Sequence, residues 1–297
     1  MKKTLAMMTA AMMVAGALAG CGSSSSTPAA TTAAATEAAT TAAATEAATT
    51  EAAGDTTAAA EGTVKTPSGK FTVGFDQEFP PMGFVGDDGE FTGFDLDLAK
   101  EVASRLGLEF VPQPINWDAK DMELESGNID CIWNGFTMQG REDAYTWVGP
   151  YMANNQVFVV NADSDIASKA DLAGKAVEVQ KDSSGLAALQ SETELSASFG
   201  SMTEVADYNT ALMDLESGAC DAVCMDSIVA GYQIKSSGKD MKILDDTLSA
   251  EEYGIGFKKG EDELAKAVYD TLMEMKDDGT VAKISNDWFG SDVFTLK

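Results

Sequence analysis

An α/β chain, folded as one globular unit or as two lobes, is what this sequence predicts, and three observations bear on it. Helix-like and strand-like stretches alternate from residue 67 to residue 297, the pattern of an α/β domain with largely parallel sheets. The tetrapeptide Leu-Glu-Ser-Gly occurs twice, at 124–127 and 215–218, each time closing a helix-like stretch and opening an apolar strand-like run. The first run leads into Asn134-Gly135-Phe136-Thr137 and then Arg141, the second into Asp226, so one copy ends near a cation and the other on an anion. In facing lobes, Arg141 and Asp226 would hold the carboxylate and the ammonium of a zwitterion. The alternative is chance recurrence of a helix-closing glycine and a turn aspartate.

The segments before the lobes read differently. Met1-Lys2-Lys3 is a basic head, Leu5 to Leu18 is apolar but too short to span a bilayer, and Leu18-Ala19-Gly20-Cys21 follows. Residues 1–20 are therefore read as a secretory signal. Its ending resembles the lipobox of bacterial lipoproteins, which implies lipidation of Cys21 and a membrane anchor outside the cytoplasm; a plain signal peptide with a fortuitous Cys is the alternative. In residues 21–66 the nonapeptide Thr31–Ala39 repeats letter for letter as Thr40–Ala48. Small residues without an apolar stripe cannot offset the entropy of ordering, so this stretch is expected to be a disordered Ala/Thr/Glu tether.

Composition narrows the function. The chain has 20 basic and 48 acidic residues; three basic and five acidic ones precede position 67, leaving 17 against 43 in the folded part. That surplus argues against nucleic acid and against anionic membrane surfaces as partners. There is no His, which removes Ser-His-Asp and Cys-His catalysis and His-ligated zinc. Cys131, Cys220 and Cys224 lack the close pairing of metal ligands and read as small buried residues. No metal and no cofactor are expected.

The elements follow in order. Phe71 to Phe75 is a strand that delivers Asp76 to its carboxyl end, where α/β sheets bind ligands, and Pro80-Pro81 forces a loop. From Asp95 to Leu106, with Phe94, Leu98, Val102 and Leu106 every four residues, the spacing predicts a helix with Asp95 and Asp97 at its positive end and Gly107 beyond it. Leu108–Val111 is the next strand, Asp118–Glu125 a helix and Ile129–Trp133 a strand. A similar succession restarts at Lys175–Gln180, and Leu264–Lys276 with Ala282–Phe289 closes the chain with helices.

Gly93-Phe94-Asp95-Leu96-Asp97-Leu98-Ala99 resembles the signature of bacterial extracytoplasmic solute-binding proteins of polar amino acid ABC transporters. Asp76-Gln77-Glu78-Phe79-Pro80-Pro81, Gly127-Asn128-Ile129-Asp130, Gly149-Pro150-Tyr151, Asp171-Leu172-Ala173-Gly174-Lys175, Tyr253-Gly254-Ile255-Gly256 and Asp278-Gly279-Thr280 before Trp288-Phe289-Gly290 match in the same order. The resemblance covers essentially residues 70–290. It implies a type II periplasmic-binding-protein clamp with a ligand cleft and a two-strand hinge. Lobe one is then 67–152 with 252–297, lobe two 153–251, and the hinge strands lie near Asn155–Val160 and Glu252–Phe257.

The resemblance also assigns residues. Arg141 would take the α-carboxylate with Gly135 and Thr137 beside it, although the segment Gly135–Arg141 is one residue shorter than the common form. Asp226 would accept from the α-ammonium. Phe79 and Trp117 would flank the ligand side chain, and Asp76 and Asn134 would belong to the same wall. Ser183 and Ser184 replace the usual Thr pair, and Asp182 stands where the family's Gly is usual. The expected ligand is a neutral polar or cationic amino acid, with glutamate and aspartate rejected. The expected partners are a permease with its ATPase, and the expected state is a monomer. A sensor acting through a separate protein and a cyclohexadienyl-dehydratase-like enzyme on the same fold are the alternatives; the enzyme would need cationic groups for a second carboxylate.

Overall fold

The computed structural model describes Thr66 and residues 68–297. The expected signal, the lipidated Cys21 and the tether lie outside the described residues, apart from Thr66. The first part of the chain gives β1 (Lys70–Phe75), β2 (Glu78–Phe79), β3 (Gly83–Val85), β4 (Phe91–Thr92), α1 (Phe94–Leu106) and β5 (Glu109–Pro114). A 3-10 turn at Trp117–Ala119 leads into α2 (Lys120–Ser126), then β6 (Cys131–Thr137) and the long β7 (Thr146–Asn161). Next come β8 (Ala176–Gln180), α3 (Ser184–Ser191), α4 (Thr193–Ser198), β9 (Ser201–Val205), α5 (Tyr208–Ser217), β10 (Ala222–Asp226), α6 (Ser227–Ser237) and β11 (Met241–Ile243). The chain closes with β12 (Ser249–Phe257), α7 (Asp262–Asp277) and α8 (Thr280–Phe289).

Nine strands form one sheet in the order β5-β1-β6-β12-β7-β10-β8-β9, with β11 on β7. Its two halves repeat one plan. In the first, β1 is parallel to β5 and β6, and β6 meets β12 antiparallel. In the second, β8 is parallel to β9 and β10, and β10 meets β7 antiparallel. The twin Leu-Glu-Ser-Gly segments end α2 and α5 and precede β6 and β10, the corresponding strands of the two halves. Gly127 and Gly218 take φ 75° and 77°, and each helix ends with paired carbonyl contacts from the glycine and the residue after it. The recurrence therefore marks equivalent helix-to-strand joints, and chance is set aside.

Several expected boundaries move. The helix expected from Asp118 begins as a 3-10 turn, and the strand expected from Ile129 begins at Cys131, because Ile129 and Asp130 lie in the joint after Gly127. Cys220 precedes β10 rather than lying in it; all three described thiols are free and buried, as expected. The hinge is displaced more instructively. Gln156–Val159 of β7 already pair with β10, and most of Tyr253–Phe257 pair with β6, so those stretches belong to the halves. The strands pair only with each other at Ala153–Asn155 and Ala250–Glu252, which form the waist.

Apolar faces fix each half around this waist. Phe71, Val73 and Trp133 share a core with Leu98 and Val102 of α1, while Val177, Val179 and Ala222 pack with Leu186 and Leu189 of α3. Both cap glycines have open space where a Cβ would stand, so conformation alone penalises substitution. Gly127→Ala and Gly218→Ala are each expected to cost about 1 kcal/mol in denaturant unfolding. A cost near zero for either would mean that its helix ends some other way.

Candidate ligand-binding cleft

The carboxyl ends of β1, β6 and β8 meet across the space between the halves. Two openings flank an ion pair in which Lys181 Nζ lies 2.7 Å from an Asp118 carboxylate oxygen. The larger, about 1020 Å³, is lined by Asp76, Glu78, Trp117 and Asp207, and the smaller, about 540 Å³, by Arg141, Asp182, Ser183 and Glu204. A second pair crosses in the opposite charge sense, from Lys120 to the Asp182 carboxylate. Lys120 is 2% exposed, so its charge is tolerated only because this partner and the Trp117 carbonyl receive it. Asp182 is the one non-glycine at positive φ, 56°, among the described residues, a conformation that aspartate tolerates better than most.

One end of the cleft is built on β6. Thr137 Oγ1 donates to Ser184 Oγ at 3.2 Å, and the Thr137 carbonyl accepts from an Arg141 guanidinium nitrogen at 3.1 Å. The other terminal nitrogen of Arg141 donates to the Asp182 carbonyl at 3.4 Å, and the guanidinium lies 5.0 Å from the Phe136 ring centre. The shortened loop thus turns Arg141 back over β6, and among the described residues Arg141 makes no ion pair with Glu142 or Asp143. Ser183 caps α3 by accepting from the Leu186 N–H at 3.1 Å, while Ser184 receives the Gln156 amide at 3.1 Å.

The other end is built on the waist. Asp226 stands before α6 but its side chain does not cap that helix. Its carboxylate accepts from Asn154 Nδ2 at 2.6 Å and from the hydroxyls of Tyr253 at 2.7 Å and Tyr208 at 3.2 Å. Glu251 accepts from the same Asn154 nitrogen at 2.6 Å and from Gln156 at 2.8 Å. Burial, and then the charge of Glu251, push the Asp226 carboxyl well above the usual carboxylate range.

The remaining expected residues form the wall between these ends. The Asn134 side-chain oxygen accepts the Asp76 N–H at 2.9 Å, and Gln180 of the opposite half donates to the Asp76 carboxylate at 2.7 Å. Burial raises the Asp76 pKa to about 6, against the hydrogen bonds it receives from the Glu78 N–H and Gln180. The Phe79 ring lies 5.8 Å from Tyr208, and a Cβ on Gly135 would meet the Phe79 and Tyr253 rings at 3.0 Å, which leaves room only for glycine. Trp117 packs edge-on against Phe136 at 5.5 Å, beside Lys120 and Arg141. Asp76 and Asp226 are not hydrogen-bonded to each other; they occupy separate patches of the cleft.

A family model matches residues 71–291. The chain belongs to the bacterial extracellular solute-binding proteins, family 3. Within this solute-binding family, the L-cystine-binding protein TcyJ of Escherichia coli K12 is 32% identical over 231 residues, which cover 76% of this chain and 84% of TcyJ. The arginine-binding extracellular protein ArtP of Bacillus subtilis is 30% identical over 241 residues, covering 78% and 92%. A Streptococcus pneumoniae ABC uptake transporter substrate-binding protein with bound histidine superposes with a TM-score of 0.74 at 34% identity, over 77% of this chain and 96% of that one. The expected α/β two-lobed clamp is thus the family's fold, with known relatives that bind amino acids.

Sequence reasoning missed several polar residues of the cleft. Gln156 lies in an expected hinge strand and Asn154 and Glu251 just outside the two, none with an expected site role, and Lys120 reads as an ordinary helix residue. Asp95 read as a first-turn helix acid, yet it is fully buried and accepts from the Gly135 N–H at 2.6 Å and the Tyr151 hydroxyl at 2.8 Å. Burial lifts its pKa from 3.8 to about 7. An acid raised in the folded state contributes most when protonated, so its contribution is lost as pH rises from about 4 through about 7. Ligand-free protein is therefore expected to melt at a higher temperature at about pH 5 than at about pH 8. Asp95→Asn, which keeps an acceptor oxygen, should flatten that slope; an unchanged slope would assign it to other groups.

Proposed function

We propose that this chain is an extracytoplasmic binding protein that captures an amino acid with a neutral polar or cationic side chain by lobe closure and hands it to an ABC importer. The observation that carries this reading is one continuous hydrogen-bonded run between opposite charges. It passes from Arg141 through the Thr137 residue to Ser184, on to Glu251 by a 3.4 Å contact, and through Asn154 to Asp226. A zwitterion laid along it meets a guanidinium at one end and a carboxylate at the other.

Each expected site residue takes a role in this reading. Arg141, with Gly135, Thr137, Ser183 and Ser184 beside it, holds the α-carboxylate, and Asp226 receives the α-ammonium. Phe79 and Trp117 flank the side chain, and Asp76 with Asn134 meets its polar end. Lobe one comprises 67–152 and 252–297 and lobe two 153–251, a division supported by the waist at Ala153–Asn155 and Ala250–Glu252. The protein is a lipoprotein anchored through Cys21, works as a monomer beside a permease with its ATPase, and needs no cofactor. Relatives named for L-cystine and arginine, and one holding histidine, fit a neutral or cationic side chain. Binding without turnover is favoured over a dehydratase because the cleft's other cations, Lys120 and Lys181, are already matched by Asp182 and Asp118.

A thermal-shift screen of all amino acids tests the reading. Ligand at 100 times its Kd adds about 2.7 kcal/mol of stability, so a melting shift of several degrees is expected with one or more of glutamine, arginine, lysine, histidine and cystine, and none with glutamate. Arg141→Ala and Asp226→Ala should each weaken binding by about 100-fold or more, since each leaves a charged ligand end without its partner. Stabilisation by glutamate alone would overturn the ligand class, and undiminished shifts in both variants would overturn the site.

A further inference from the structure

Glu251 is a buried carboxylate whose place in the sheet demands none. It stands opposite Asn154 at the waist, is 5% exposed, and belongs to a strand whose next inward residues are Tyr253 and Ile255. Asn154 Nδ2 is 2.6 Å from Glu251 and 2.6 Å from Asp226, so the two carboxylate oxygens lie no farther apart than twice that distance. The groups facing the pair come from every neighbouring element. Tyr253 on β12 and Tyr208 on α5 donate to Asp226, Gln156 on β7 and Ser184 on α3 donate to Glu251, and Cys224 on β10 is the remaining titratable neighbour. Among the described residues neither carboxylate makes an ion pair. Two buried carboxylates this close do not both ionise without a cation.

We infer that Glu251 and Asp226 together form the ammonium site, in which Asp226 holds a proton without ligand and exchanges it for the ligand's ammonium group. This rests on the amino-acid reading above and makes Glu251 a further ligand-binding residue. The exchange balances: one carboxyl O–H bond breaks, its proton passes to solvent, and the R–NH₃⁺ group takes its place, so the pair's surroundings keep one net negative charge throughout. Burial and the charge of Glu251, which hold Asp226 above the usual carboxylate range, act in the direction the exchange needs. The ligand class that fits carries a primary ammonium, and affinity must rise with pH until the pair ionises by itself.

Isothermal titration at about pH 7 in phosphate and in Tris, whose protonation heats differ widely, reads the exchange. The probe is whichever of L-cystine, L-arginine and L-glutamine gives the largest melting shift. Release of about one proton per bound ligand is expected, with the association constant rising up to about tenfold per pH unit. Glu251→Gln keeps an oxygen for Asn154, Gln156 and Ser184 but frees Asp226 to ionise beforehand, so most of the release should disappear; Asp226→Asn should remove it from the other side. Asp76, with a pKa of about 6, contributes equally in wild type and Glu251→Gln, so the difference between the proteins is the measure. No release in the wild type, or equal release in wild type and both variants, overturns the pairing while leaving amino-acid binding standing. Failure of all three probes to bind overturns both.

Discussion

The chain passes between the halves of its sheet along two antiparallel strands, and the rest of the cleft is organised by what hangs from their crossing. Asn154 and Glu251 occupy that waist and Gln156 stands just beyond it, and their side chains meet Asp226 and Ser184. A polar cluster here would be costly if any member lacked a partner, since a buried polar group without a hydrogen bond loses about 1–3 kcal/mol. Its hydrogen bonds tie β7 to β12, and the Gln156 side-chain oxygen is the one member atom left without a partner among the described residues. Hinge and anionic end of the site are therefore one construction. On the proposed reading, a ligand ammonium at Asp226 would act directly on the strands that join the halves.

Closure has a second, weaker support in the crossed pairs Lys120–Asp182 and Asp118–Lys181. The Asp118–Lys181 pair is exposed, and pairs of this kind contribute about 0–1 kcal/mol, while the Lys120–Asp182 pair has one buried member whose desolvation offsets its attraction. Their modest strength suits a clamp that must reopen, because a closed state held too firmly without ligand would gain nothing from binding one. Asp182 shows how sequence and shape combine at this point. Its left-handed backbone suits a glycine, yet the aspartate side chain supplies the charge that makes burial of Lys120 tolerable, while its carbonyl receives Arg141.

Much of this was legible in the sequence, and what escaped did so for a physical reason. Alternating periodicity gave α1 and its Gly107 cap, and the doubled Leu-Glu-Ser-Gly gave the equivalent joints before β6 and β10. Asp226 stands at a strand end and Arg141 in the loop after β6, where a polar residue following an apolar run is conspicuous. Glu251, Asn154 and Gln156 are partners across about a hundred residues of chain, so no local window holds both halves of the interaction. The displaced hinge has the same origin: which residues of β7 face β10 is a matter of strand register, invisible to periodicity. Asp95 was placed correctly on its helix but given the wrong partner, because a first-turn acid that serves the helix dipole and one that receives a distant Gly135 N–H look alike in sequence.

These arrangements account for ligand charge without appeal to the overall acidity of the surface, whose field is screened beyond about 8 Å at physiological salt. Of the three cations at the cleft, Lys120 is matched by the Asp182 carboxylate and Lys181 by the Asp118 carboxylate, whereas Arg141 donates only to carbonyl oxygens among the described residues. On the proposed reading, the α-carboxylate meets the one of these three that no acid already engages. Facing the side chain, Asp76 is hydrogen-bonded to Gln180 but to no cation, and Glu78 meets the Asn209 amide. A second ligand carboxylate in that space would have to be buried against those acids, a cost of several kcal/mol unless it brought its own cation, whereas an amide or a cation would not meet that cost. On the proposed reading, selection against acidic side chains follows from Lys120 and Lys181 being engaged by Asp182 and Asp118 as much as from the acids themselves.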